Sequence, residues 1–199
     1  MNGKIHIAQL AIIGTAGRKD DAAKINLPLW SGMKRIVYKY IRENNIKTII
    51  SGGAAVADSL AVGLYNAEIV EKLTLALPCE FDWHNCQFKD TGEFDWQKNP
   101  GGDSNRFHRA FSRVIGQNSL EWIRLAIYND AEVVVGDGFH DRNNLVAQAE
   151  RVIAFTFGNG AKIKDGGTAD TCRKYLANGG KFLTHVDLNA MTVYEKGEV

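Results

Sequence analysis

The chain has 199 residues, 45% of them hydrophobic and 24% charged, with a formal net charge of +1. This suits one domain of 1–199 with a real core, and it excludes a bulk electrostatic pull toward nucleic acid or a membrane, though not a local basic patch. No apolar stretch is long enough to span a bilayer, and the three scattered cysteines argue against a disulfide framework and for a reducing, cytoplasmic setting.

The opening MNGKIHIAQLAIIG does not read as a secretory signal, because His6 and Gln9 interrupt its apolar run and no small-residue cleavage site follows. Residues 5–13 are mostly apolar and β-branched, which predicts a first strand buried on both faces. A glycine turn follows, GTAGR, made of Gly14, Thr15, Ala16, Gly17 and Arg18. Thr15 offers a hydroxyl. Arg18 offers a fork suited to phosphate or carboxylate, or else is a solvated loop charge. Over 27–43 the apolar residues fall at helical spacing and predict a crossover helix, stopped by Asn44 and Asn45.

The stretch KTIISGGAAVADSLA, residues 47–61, reads as a short strand over 48–50, a turn at Ser51, Gly52 and Gly53, and a helix opening at Ala54 or Ala55 and running to about residue 70. Glycine lets the backbone leave a strand end sharply and lets a ligand approach the peptide plane. A helix starting there presents N–H groups without internal partners, a natural seat for a phosphate. Packing of small residues at an ordinary βα turn is the alternative. Asp58 falls in the first turn of that helix, where it either complements the helix dipole or faces the ligand.

A third strand is expected over 73–77, closed by Pro78. Residues 80–102 then lose periodicity while carrying Phe81, Trp83, Phe88, Phe94 and Trp96. A structureless loop of that length is functional more often than not: a lid over a flat ring, a flap over a subunit interface, or aromatic anchors on the surface. Cys79, His84 and Cys86 match no standard zinc spacing and no fourth ligand stands out, so no metal is expected. Helices are predicted over 105–115 and 119–128, the first bearing Arg106, Arg109 and Arg113 as a basic ridge, either a solvated face or a contact for a phosphate-bearing partner.

A short strand is expected over 132–135, then a turn at Asp137 and Gly138, then a helix over 141–150 with Asp141 as N-cap. Arg142 and Asn143 at its start are placed to orient a ligand. A buried strand over 151–157 leads to a further glycine turn at Asp165, Gly166, Gly167 and Thr168, a helix over 169–177 and a last strand over 181–186, with a peripheral tail.

Strands alternating with helices predict an α/β, doubly wound, mainly parallel sheet. In such sheets ligands bind beyond the carboxyl ends of the strands, where strand order reverses. The turns GTAGR, SGGA and DGGT all follow strands, so all should open onto that edge. Together they suit a phosphorylated ligand, most simply a nucleotide whose base is covered by aromatics of residues 81–96.

GTAGR, IISGGAAVADSLA, RNNLVAQAERVIAFTFG and GGTADT, in this order, resemble the Rossmann-like SLOG superfamily. That group includes the LONELY GUY phosphoribohydrolases, the DNA-processing proteins of natural transformation and small stand-alone nucleotide-ligand proteins. The likeness covers most of the chain outside residues 80–128, which look like an aromatic-rich insertion, and is closest to the stand-alone branch. It implies a five-stranded sheet ordered 3-2-1-4-5 and a nucleotide or NAD-derived ligand. Around that ligand it implies Gly14, Thr15, Arg18, Ser51, Gly52, Gly53, Asp58, Arg142, Asn143, Gly167 and Thr168, flanked by Ala16, Gly17, Ala54 and Gly166. Together with the exposed aromatics it also implies a homo-oligomer.

The phosphoribohydrolase motif Pro-Gly-Gly-x-Gly-Thr-x-x-Glu is not intact. Asp165 replaces the proline, the x-Gly step is missing, and Thr171 stands at the position of the catalytic glutamate. Cleaving an N-glycosidic bond through an oxocarbenium-like state calls for a carboxylate, and Asp58 or Asp170 would have to supply it. A nucleoside monophosphate N-glycosidase is therefore the enzymatic alternative to a binding protein. Nucleic-acid binding in the manner of the DNA-processing branch finds little support in the near-neutral charge.

Overall fold

A computed structural model describes residues 9–199. The reading of the N-terminal segment, including residues 5–8 of the expected first strand, lies outside the described residues. In chain order the elements are β1 (Gln9–Gly14), a 3-10 turn (Lys19–Lys24), α1 (Leu27–Glu43), β2 (Thr48–Ser51), α2 (Ser59–Asn66), β3 (Lys72–Leu77), β4 (Phe81–Asp82), β5 (Gln87–Phe88), α3 (Pro100–Ile115), α4 (Ser119–Tyr128), β6 (Glu132–Val135), α5 (Gly138–Val146), β7 (Arg151–Thr156), α6 (Gly167–Ala177), β8 (Phe182–Asp187) and β9 (Thr192–Tyr194).

The main sheet is ordered β6-β3-β2-β1-β7-β8-β9. All its pairings are parallel except that of β9 with β8. It has seven strands, so the expected five-stranded order 3-2-1-4-5 does not describe it. The short EVVV strand β6 adds outside β3 after a long crossover through α3 and α4. The tail, expected to be peripheral, pairs Val193 with Val186. Three residues of β9 are too few to show an alternating pattern in the sequence.

Side chains alternate across each strand, and each face of the sheet has its own core. Leu10, Ile12, Ile49, Leu75, Ile153 and Phe155 face Trp30, Met33 and Val37 of α1, Leu60 of α2, Phe111 of α3 and Ile123 of α4. Ala11, Ile13, Val152 and Ala154 face Val146 of α5 and Cys172 and Tyr175 of α6. Each fully buried Leu or Ile contributes about 2 kcal/mol of transfer free energy. Helices on both faces make the fold doubly wound.

Helix starts follow local capping chemistry. The Asn26 side chain accepts the Leu29 N–H at 3.0 Å with Pro28 in the first turn of α1. Asn99 accepts the Gly102 N–H at 2.9 Å ahead of Pro100, which starts α3 five residues before the expected 105. Asp141 is not an N-cap. It lies inside α5 and reaches back to accept the Asp137 N–H at 3.1 Å.

Residues 80–102 are not structureless. A two-stranded hairpin pairs Phe81 with Phe88. The Asn105 side chain grips both backbone groups of Phe88, accepting from its N–H and donating to its C=O, each at 2.8 Å. The rest of 80–128 is the crossover from β3 to β6, and α3 and α4 supply part of the core.

Candidate functional site

The chain leaves β1 for β2 and β3 on one side and returns to β7 on the other, so strand order reverses between β1 and β7. Beyond the carboxyl ends of these strands lies a cleft of about 610 Å³, where doubly wound sheets hold their ligands. Ile13 and Gly14 end β1 at its rim, Gly52 and Ala54 follow β2, Thr156 ends β7, and Gly166, Gly167 and Thr168 open α6.

Each turn has its own physical reason. A Cβ at Gly14 would overlap the Phe155 carbonyl oxygen and sit 2.7 Å from the Ala57 methyl. Gly14→Ala is expected to cost about 2 kcal/mol, read as a lower urea midpoint; an unchanged midpoint would show that the strand ends are loosely packed. Thr15 donates its N–H to Phe155 O at 2.8 Å and its hydroxyl to Asp21 at 3.0 Å. Asp21 is also paired with Lys164 at 2.6 Å. A Cβ at Gly52 would overlap Arg142 Nη1 and lie 2.8 Å from Asp58 Oδ2. Glycine there is what lets those two side chains close under the turn.

α2 opens at Ser59, not at Ala54 or Ala55, and ends at Asn66. Residues 55–58 form a tight turn in which Val56 holds φ +64°, a costly conformation for a β-branched residue. The Ala57 N–H donates to Thr15 O at 3.3 Å, tying this turn to the first. Asp58 therefore sits at the N-cap position, where its side chain makes no capping bond.

Asp58 is 3% exposed. Burial pushes its carboxyl up to about 6, against the pull of Arg142 and of the Ala54 and Gly52 peptide groups. Arg142 Nη1 donates to Gly52 O at 2.8 Å and stands 3.8 Å from Asp58 Oδ2. Burial lowers the Arg142 pKa while Asp58 raises it. Among the described residues its buried Nε has no hydrogen-bond partner. Two guanidinium groups lie over the Phe139 ring, Arg18 at 5.3 Å and Arg142 at 5.5 Å from its centre.

Across the cleft, Asn143 Nδ2 donates to Asp170 Oδ2 at 3.0 Å, and Lys174 pairs with the same oxygen at 2.9 Å. Partial burial alone would raise the Asp170 carboxyl. The Asn143 and Lys174 hydrogen bonds, with the charges of Lys174 and His140, outweigh it and hold it below its ordinary value. Gly166 gives α6 no side-chain cap, so the first N–H groups of that helix are free of protein side chains.

Of the residues singled out from the sequence, Gly14, Thr15, Ala16, Arg18, Gly52, Ala54, Asp58, Arg142, Asn143, Gly166, Gly167, Thr168 and Asp170 line this one cleft. Gly17, Ser51 and Gly53 do not line it. The Gly17 N–H donates to Thr15 Oγ1, and Ser51 Oγ accepts from Gly53 N–H and donates to Asp58 O. Gly53 faces Leu77 and Phe88, and its carbonyl lies 3.0 Å from His108 Nε2.

The sequence reading passed over Asp21, Phe139, His140, Lys164 and Arg173, which also line the cleft. Phe139 and His140 follow the Asp137-Gly138 turn directly, so that turn was the signal for them. Lys164 precedes Asp165-Gly166-Gly167 and was equally close to a marked motif. Among the aromatics of 81–96, Trp96 alone reaches the cleft, at 6.0 Å from both Phe139 and His140. Phe81 packs edge-on to Phe88 and Trp83 stacks on Tyr128.

Cys79, Cys86 and Cys172 are free thiols. Among the described residues no group of His, Cys, Asp or Glu is set to hold a metal ion. The arginine ridge is exposed and does not line the cleft, although Arg106 shares the Phe107 ring with Arg18 of the rim, at 4.7 and 5.1 Å; Arg106 is paired to Asp103 at 2.7 Å and Arg109 bonded to Gln87 at 3.2 Å. Among the described residues no helix is long and apolar enough to cross a membrane.

Fold and cleft define a mostly parallel, doubly wound α/β protein with a pocket at the point of strand reversal. No family model matches the chain. Over 184 residues it is 37% identical to uncharacterized protein R261 of Acanthamoeba polyphaga mimivirus, across 88% of this chain and 93% of that protein. The chain belongs to the family of that mimivirus protein.

Proposed function

We propose that the cleft binds a nucleotide or nucleotide-derived phosphorylated ligand, as a SLOG-like stand-alone ligand protein would. The observation that carries this reading is the meeting of two strand-end glycine turns, at Gly14 and Gly52, with the glycine-opened, uncapped start of α6 around one cleft. Peptide N–H groups there can cradle a phosphate. Arg18 supplies a fork at the rim, and Arg142 supplies a buried cation with one donor still unused. Trp96 and Phe139 offer flat faces for a base.

The test is calorimetric titration against nucleoside mono-, di- and triphosphates and NAD derivatives, with mass spectrometry of any small molecule that co-purifies. Micromolar binding is expected for phosphorylated members, with none for the parent nucleosides. Silence across the panel would overturn the proposal.

One observation favours an enzymatic variant of it. Asp58, held near 6, and Asp170, held low, are carboxyl groups of opposite tendency lining the same cleft. That contrast is what N-glycoside cleavage uses for acid and base roles. This variant predicts release of free base from a nucleoside monophosphate, abolished in Asp58→Asn or Asp170→Asn. No release from any common monophosphate removes it and leaves the binding protein.

A further inference from the structure

A second concavity, about 1110 Å³, runs between α1, α2 and α4 and shares no lining residue with the cleft. It follows α1 from Leu27 to Glu43, with α2 and α4 as its other walls. Trp30 and Trp122 stack in its floor at 6.3 Å. Leu27, Tyr38 and Leu125 stand 51%, 43% and 42% exposed along it.

Two observations say what fits there. The first is Gly63, inside α2, where a Cβ would meet nothing within 4 Å. Glycine in a helix interior costs stability relative to alanine, and no neighbour among the described residues requires it. A bare backbone in the middle of a groove lets another backbone come close. The second is charge. Lys34, Arg35, Lys39 and Arg42 line the groove against the single carboxylate Glu43, which pairs with Lys39 at 3.7 Å. Among the described residues Lys34, Arg35 and Arg42 have no carboxylate partner. Lys34 and Arg42 lie over the Trp30 and Tyr38 rings, at 6.0 and 5.9 Å. In a chain of net charge +1 this is a concentrated basic rim around an apolar floor.

We propose that this groove docks an acidic amphipathic helix of a partner protein, its apolar face against Trp30, Leu64 and Trp122 and its carboxylates toward Lys34, Arg35 and Arg42. The helix α1 is about 25 Å long by its rise, so an occupant of similar length fills the groove. A second copy of the chain is disfavoured, because a two-fold contact sets the same cations against themselves. The apolar floor offers nothing to a nucleic-acid backbone, and a concave face does not lie on a flat bilayer.

The test uses the full chain and a synthetic helix of about 16 residues, with leucines on one face and glutamates on its flanks. Binding is read by fluorescence anisotropy and by the emission of Trp30 and Trp122. Micromolar, salt-sensitive binding is expected, with a lysine-flanked peptide of the same apolar face binding at least about tenfold more weakly. Gly63→Leu fills open space and should weaken the acidic peptide about tenfold, while nucleotide titration of the cleft is unchanged. Arg42→Glu, on the exposed rim, should do the same without touching the floor. Equal binding of both peptides, or of neither, overturns the proposal. So does a dimer in sedimentation that Gly63→Leu dissociates, or binding of DNA or anionic vesicles that Arg42→Glu abolishes while the acidic peptide stays unbound.

Discussion

Asp58→Asn is expected to tilt the acid limb of the stability curve by about 3 kcal/mol. In the folded protein the Asp58 carboxyl titrates near 6 in place of 3.8. A raised carboxyl contributes stability that is complete below the unfolded value and is lost as pH rises through the folded one. His108 works the other way. It is fully buried, between Gly53 O at 3.0 Å and Ser119 Oγ at 2.9 Å, and burial depresses it from 6.5 to about 4, against the Gly53 hydrogen bond. A depressed imidazole contributes stability that is complete above the unfolded value and is lost as pH falls through the folded one. The two windows overlap between about pH 4 and 6 with opposite slopes of similar size. Removing the carboxyl leaves the histidine slope alone, so the variant should gain stability relative to wild type as pH rises from about 4 to about 6. Urea unfolding of both proteins at half-unit pH steps measures this directly. Parallel curves would mean that Asp58 ionises normally and that its burial is not as described.

Arg142→Ala is expected to weaken the ligand found by titration at least about 100-fold, the usual scale for truncating a buried charged partner. The guanidinium is the donor to Gly52 O and the cation beside Asp58. Its loss strips the anion site of charge, leaves the Gly52 carbonyl without that donor, and drives the Asp58 carboxyl further up. Arg142→Lys should recover only part of the affinity, since an ammonium cannot make the forked contact. A calorimetric titration that returns wild-type affinity for the alanine variant would remove Arg142 from the site and with it the anion-binding reading of the cleft floor.

Much of this architecture was legible in the residues, for reasons that can be named. Helices α1 and α4 run over the residues expected because their apolar spacing is strong and asparagines mark their ends. Buried strands such as 151–157 announced themselves as apolar runs between breakers. The glycine turns were legible because close approach of backbone leaves a mark in residue type: Gly14 and Gly52 each occupy a space a methyl group would overfill. What could not be read was tertiary. Gly52 and Gly53 look alike in sequence, yet one lines the cleft and the other backs onto Leu77 and Phe88. The start of α2 was misplaced because small apolar residues suit a helix as well as the strained turn that Val56 adopts. The hairpin at Phe81 and Phe88 has only two residues per strand, fewer than a periodicity can show. Of the charge partners of the site, Lys174 for Asp170 is an i,i+4 pair that helical spacing itself brings together on α6, whereas Lys164 for Asp21 depends on how loops distant in sequence meet.

The imidazole beneath the second glycine turn has a consequence for how this protein can vary. It belongs to the long excursion between the third and sixth strands, yet its contact is with a carbonyl only one residue from the pocket lining. A version trimmed of that excursion would strand a peptide oxygen in a dry interior unless water or another donor replaced the ring. Length changes here are therefore tied to the shape of the pocket floor. Drift in the outer helices should be tolerated where it keeps a neutral donor at this place and resisted where it does not.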